Sequence, residues 1–330
     1  MNPPSSLFER LVARRRRAWV MLGIAALLFA APFLAASADH VLRKLLSGAG
    51  WQGLLVPPAV ITYILLVAPR MAGMEDTVLR AIRPAVLLDD DQFARLAQGA
   101  TASTPRQEAL IFGAGALVGL LISAGDSVVG FSWLGLAWLL SISLMYGLLA
   151  WAVFGSVLDT RLITALLRQR LRIDPFDTAP FEPMGRHSLL LAMVFVGGIT
   201  LSLPFVVLQP GALRQPIVWL IYVPLVAIPV VIFFLGMSPV HRVLAAARDR
   251  EREAVQQQFL RLSRELLQRL EGQQETGNLA AEINALAVYD ERLQMVPTWP
   301  YNTGMLRTLI FSVFIPAATI LGKIVVDVLF

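Results

Sequence analysis

Residues 215–240 read QPIVWLIYVPLVAIPVVIFFLGMSPV, and residues 241–270 continue HRVLAAARDREREAVQQQFLRLSRELLQRL. The first stretch holds no Asp, Glu, Lys or Arg over 26 residues. A helix crossing a bilayer needs about 20 mostly apolar residues, so it is long enough to span. The second stretch is rich in Arg, Glu and Gln. Its Leu244, Ala247, Val255, Phe259, Leu262, Leu266 and Leu270 recur at three or four residues, with one longer gap. That is the period of a helix with one apolar face. Residues 272–278 are polar with two glycines and read as a turn. Leu279, Ile283, Leu286 and Leu293 resume the period, and Val296-Pro297-Thr298-Trp299-Pro300 ends it. The spacing predicts an antiparallel, coiled-coil-like hairpin that leaves one apolar segment and returns to another.

Six further apolar runs complete the pattern. They are Ala18–Ser37, Trp51–Pro69, Ala109–Gly125, a span within Ser127–Leu158, a span within Ser188–Leu213, and a last one near Thr308. The last is the shortest. Its uncharged run is Thr308–Gly322, and Arg307 and Lys323 extend it by snorkelling. Of the 330 residues, 56% are apolar and 15% charged, against about 25% charged in a soluble domain. This excludes a disordered chain and a collagen-like one, and the absence of cysteine excludes a disulfide scaffold and thiolate metal or redox chemistry. The expected class is an all-α integral membrane protein with about seven transmembrane helices and a cytosolic helical hairpin between helices six and seven.

Charge placement predicts orientation. With alternating helices, 24 of the 28 Lys and Arg fall on the side of the N-terminus. By the positive-inside rule that side is cytoplasmic, which puts the C-terminus outside and the protein in the plasma (inner) membrane. Arg14–Arg17, an apolar run and Ala36-Ser37-Ala38 also resemble a signal peptide, but the run exceeds a usual signal core and reads as a retained helix.

The expected organisation is then a basic arm over 1–17 and helices one and two over 18–69. A cytosolic loop with a short amphipathic helix follows over 70–107, then helices three and four over 108–158. An interfacial helix and loop occupy 159–187 and helices five and six 188–240. The hairpin covers 241–303 and helix seven 304–330. In the 159–187 segment, Leu162, Leu166, Leu167 and Leu171 share a face ringed by arginines, the pattern of a helix lying at the headgroups.

Catalytic signatures are missing: no glycine-rich phosphate loop and no His-Glu-x-x-His occur. His40 lies across the membrane from His187 and His241, which read as boundary residues. Asp89-Asp90-Asp91 reads as a helix N-terminus, and Asp174, Asp177 and Glu182 as turn or arginine-pairing residues. No enzyme activity, cofactor, metal or nucleic acid is expected.

Three groups carry the functional expectation. Asp126, Lys323 and Asp327 fall at outer helix ends and read as a charged pore mouth. Pro224, Pro229 and Pro316 interrupt helices six and seven and read as hinges, because proline removes a backbone donor. Gly115 and Gly119 form a small-x-x-x-small helix-packing motif. Together they predict an oligomeric channel or transport-type protein for ions or small solutes, gated or regulated by the hairpin. The alternative is a non-transporting scaffold or sensor whose hairpin docks a cytosolic partner. The expected partners are the lipid bilayer, further copies of the chain, and a cytosolic protein at the hairpin.

Overall fold

The computed structural model describes residues 18–48, 51–123, 132–207, 216–299 and 303–329. The protein is all-helical, and the described residues form no strand. In chain order the α-helices are α1 (Ala18–Ala38), α2 (Leu42–Ser47), α3 (Val56–Ile82), α4 (Asp90–Thr101) and α5 (Pro105–Ser123). They continue with α6 (Trp133–Leu167), α7 (Glu182–Val207), α8 (Pro216–Glu271), α9 (Leu279–Met295) and α10 (Thr303–Leu329). Seven helices are long and apolar enough to cross a membrane.

Local chemistry sets the helix ends. Helix α1 closes with His40 in the left-handed region at φ 57, while Val41 N–H reaches back to the Ala36 carbonyl at 3.0 Å. That closure satisfies carbonyls a helix end otherwise leaves bare. Helix α3 starts with Pro57 and Pro58 in its first turn, where the missing N–H costs nothing. Asp89 caps α4 by accepting from Asp90 N–H at 2.8 Å. Helix α6 is capped twice. Ser132 Oγ accepts from Gly135 N–H at 3.0 Å, and Asp39, 94 residues earlier, accepts from Trp133 and Leu134 N–H at 3.0 and 2.8 Å. A carboxylate there also meets the positive end of the helix dipole.

Helix α6 rises about 50 Å between its ends, at 1.5 Å per residue. The Asp39 cap marks one end of the bundle. At the other end lies a core of Val78, Ile82, Val86, Leu162, Ile163, Leu166, Leu167, Phe181, Met184, Val240 and Leu244. It gathers the ends of α3 and α6, the start of α7 and the middle of α8. The backbone reinforces it: Leu87 N–H donates to Arg170 carbonyl at 3.0 Å, and Arg172 N–H to Ala85 carbonyl at 2.8 Å. The three polar stretches 70–107, 159–187 and 241–299 therefore meet at a single end. Nearer mid-bundle, Val60, Ile61 and Ile64 of α3 pack on Ile142, Met145 and Leu148 of α6. Ala192, Phe233, Met237 and Leu309 join α7, α8 and α10.

Helix boundaries depart from the sequence reading in three places. Helix α6 does not stop near Leu158 to begin a separate interfacial helix; it runs unbroken to Leu167. The leucines read as facing headgroups are core: Leu162, Leu166 and Leu167 are buried. An apolar stripe has the same period whether it faces lipid or protein. Helix α3 continues past Pro69 to Ile82. Helix α8 runs 56 residues as one element, through Pro224, Pro229 and Pro239.

Candidate functional site: the junction of bundle and arm

The distal half of α8 is joined to α9 by a tight turn. Gln273 takes the left-handed conformation at φ 50, and Gln274 N–H reaches the Arg269 carbonyl at 2.8 Å. Gly277 follows at φ 52, a conformation glycine adopts freely. Helix α9 then lies beside α8. Arg252 Nε donates to Asp290 Oδ1 at 2.9 Å, and the Tyr289 hydroxyl donates to Glu251 Oε1 at 3.2 Å. Below them, Leu279 and Leu293 of α9 and Val255 of α8 are buried, whereas Leu260, Leu267 and Leu270 of α8 remain exposed. Of the periodic apolar residues, Leu244, Val255, Leu279 and Leu293 are thus buried, while Leu270 is exposed; Leu260 and Leu267 lie outside that period.

Electrostatics follows the contacts. Arg252 donates to the Asp290 carboxyl and, with Gln294, holds it below the usual carboxylate range. The Tyr289 hydroxyl is pushed up by desolvation first, then by Glu251 and Asp174. The Tyr289 ring also meets Phe176 edge-on at 5.5 Å, so the arm touches the loop that follows α6.

Two further contacts fix the base of the arm. The His241 ring stacks on Trp299 at 4.0 Å with a 6° interplanar angle, and its Nδ1 lies 3.2 Å from the Thr298 carbonyl. Trp299 in turn meets Phe234 edge-on at 6.2 Å. The segment returning from α9 is therefore clamped onto α8. Within the bundle, His187 is 2% exposed, and its Nε2 lies 3.3 Å from Asp159 Oδ2. It is a buried polar partner between α6 and α7, at the end of the bundle where the Met184 core lies. His241 is the histidine that stays at the edge.

The acidic groups behave as local structure. Asp90 binds the Arg83 guanidinium, whose carbon also sits 5.0 Å over the Phe93 ring. Asp174 and Asp177 accept from Phe176 and Ala179 N–H at 2.9 and 3.1 Å, which are turn contacts. Glu182 pairs with Arg186 at 2.8 Å. Among the described residues no cluster of three His, Asp or Glu is placed to hold a metal ion.

Of the residues singled out from sequence, Gly115 and Gly119 lie where α5 approaches α6. A methyl at Gly115 would stand 2.5 Å from the Tyr146 carbonyl oxygen and 2.6 Å from Ala150 Cβ; at Gly119 it would stand 2.9 Å from the Ile142 carbonyl oxygen. From the other side, the Phe112 ring fills the space at Gly147. Pro229 and Pro316 are buried and Pro224 is exposed, all within continuous helices. Lys323 and Asp327 stand four residues apart on α10, and Asp126 lies outside the described residues. Asp39, Asp159 and Phe181 were not singled out. Asp39 contacts its helix across 94 residues, and no local pattern announces such a pairing.

The chain matches no family model, and neither a curated protein nor a solved structure matches it.

Proposed function

We propose that this chain is a multi-pass membrane protein in which the α8–α9 arm regulates a bundle of transport type, assembled from several copies. The observation that carries the reading is the single 56-residue helix α8. One end lies in the apolar, proline-bearing segment and the other forms the polar arm. At 1.5 Å per residue it rises about 84 Å, and a bilayer hydrocarbon core takes only about 30 Å of that.

The surface of the bundle supports the membrane setting. Leu110, Leu117 and Leu121 of α5, Leu140 of α6, and Phe311, Phe314 and Ile315 of α10 are exposed, apolar surface of a kind that water disfavours. The charge asymmetry favours an arm in the cytoplasm and a C-terminus of α10 outside. In this reading Pro224, Pro229 and Pro316 are flexing points, and Lys323 and Asp327 line the outer mouth of an assembly.

A second reading, a scaffold or sensor, is favoured by the bundle's hydroxyls. Ser156, Ser202 and Ser312 donate to carbonyls of their own helices at 3.0, 2.8 and 2.8 Å, so their protons are spent within the helix rather than offered to a solute. The exposed Leu260, Leu267 and Leu270 then serve as the docking face.

One experiment separates the two. The chain has no cysteine, so Arg252→Cys with Asp290→Cys gives a unique pair for a short bifunctional maleimide. In liposomes, a regulated transporter changes its ion or solute flux when the arm is crosslinked. No flux before or after crosslinking sinks the transport reading. Deletion of 248–291 that leaves insertion intact but abolishes recovery of a cytosolic partner supports the scaffold.

A further inference from the structure

We infer that α6 carries a binding site for an anionic phospholipid headgroup, centred on Arg161 and Arg168. The inference rests on the membrane reading above. A groove of about 400 Å³ is lined by Val157, Thr160, Arg161, Thr164 and Arg168 of α6 and by Leu235 of α8. Arg161 and Arg168 lie seven residues apart, close to two helical turns, and so share a face. Both are exposed, and neither guanidinium has an ion pair among the described residues. The acidic residue nearest Arg161 in sequence, Asp159, sits on another face of α6 and is engaged by His187 at 3.3 Å; the one nearest Arg168, Asp174, accepts from Phe176 N–H at 2.9 Å.

The groove has two chemical ends. At one, Val157 and Leu235 are 43% and 59% exposed and offer an apolar wall for acyl chain. At the other, the two guanidiniums offer planar, charge-assisted donors matched to phosphate. Between them, Thr160 and Thr164 spend their protons on the Ser156 and Thr160 carbonyls at 2.9 and 2.7 Å. Their oxygens are left as acceptors, suited to a headgroup that bears hydroxyls.

Depth agrees with this order. Trp133, at the start of α6, is 54% exposed and suits an interfacial aromatic. From Trp133 to Arg161 the helix rises about 42 Å, against roughly 40–45 Å for a whole bilayer with its headgroup regions included. With Trp133 in one interface, Arg161 falls in the headgroup region of the other. Ordinary orientation charges need only be numerous and on one side. These two share a face, lack carboxylate partners among the described residues and border a groove with an apolar wall.

The test uses the full chain in vesicles of equal phosphatidylcholine and phosphatidylglycerol, extracted in mild detergent, with the retained phospholipid quantified. Phosphatidylglycerol is expected to be enriched. Arg161→Gln or Arg168→Gln should each lower the enrichment about fivefold, and the double variant roughly 30-fold. Arg161→Lys with Arg168→Lys keeps the charge but loses the planar fork, and should retain only part of it. Arg250→Gln with Arg264→Gln, on the arm, should leave it unchanged.

Equal loss in the arm control would overturn the site in favour of diffuse surface charge. A double variant with undiminished enrichment overturns it as well. Displacement of the lipid by excess inorganic phosphate would assign a free-phosphate site instead. A chain that washes from membranes in alkaline carbonate overturns the membrane reading and this inference together. A chain that stays membrane-bound with no phosphatidylglycerol preference overturns the inference alone.

Discussion

The α5–α6 and α8–α9 pairs solve the same packing problem by opposite means. Helices α5 and α6 meet through Gly115, Gly119 and Gly147, with backbone close against backbone. Helices α8 and α9 meet through Arg252–Asp290 and Glu251–Tyr289, over a thin line of leucines. Lipid tails are as apolar as leucine, so between membrane helices association rests on close van der Waals contact. In water, hydrophobic burial is available, and surface ion pairs add little, about 0–1 kcal/mol each. The first seam tolerates almost no change in volume. The second tolerates change in charge.

The sharpest way to break this contrast is Gly115→Leu. Even one methyl there meets a backbone oxygen and Ala150 Cβ. Overpacking costs about 1–3 kcal/mol, and a leucine belongs at the upper end. Thermal unfolding in nanodiscs should show a large loss of stability; an unchanged midpoint would mean that α5 and α6 do not touch here.

Next is Asp39→Ala, which strips the remote cap from α6. Loss of a cap costs about 1 kcal/mol, up to about 2 when charge is involved. Asp39→Asn should recover part of it. Hydrogen exchange at residues 133–137 reads the effect directly, and unchanged protection there refutes the cap.

Gly113→Ala sharpens the comparison within one helix. Nothing lies within 4 Å of a methyl at Gly113, two residues from Gly115. Alanine should therefore stabilise α5 by about 0.5–1 kcal/mol, by helix propensity alone. Opposite signs at Gly113 and Gly115 would establish which glycines make the seam.

The smallest effect belongs to the arm. Arg252→Gln should cost about 0.5 kcal/mol and depend on salt. The sign with pH follows from Asp290, whose folded value lies below its ordinary 3.8. Such a group stabilises above its unfolded value and loses that contribution as pH falls through the folded one. Exchange at α9 should rise below about pH 4, and Asp290→Asn should remove that acid dependence. An acid response that persists in the variant would place its origin elsewhere.

The apolar segments and the turn at residues 272–278 were legible because their signals are local: run length, charge and glycine. The glycine seam was legible too, since Gly115 and Gly119 are spaced for one helix face. What stayed hidden depends on contacts distant in sequence. Leu162, Leu166 and Leu167 carry the same stripe whether they lie on headgroups or under Phe181 and Met184. His187 finds Asp159 from another helix, and Asp39 finds α6 across most of a hundred residues. Polar residues end the apolar runs at Pro69 and Val240 but not the helices: α3 and α8 continue through both positions.

The unbroken course of α8 has a mechanical consequence. From His241 to Glu271 the helix rises about 45 Å, and its base is gripped by the Trp299 stack. A tilt of only about 5° at that grip sweeps the far end through roughly 4 Å, by the same rise. The stacked imidazole and indole thus act as a fulcrum. Displacements too small to disturb the buried side chains around them become, at the tip, as large as a side chain.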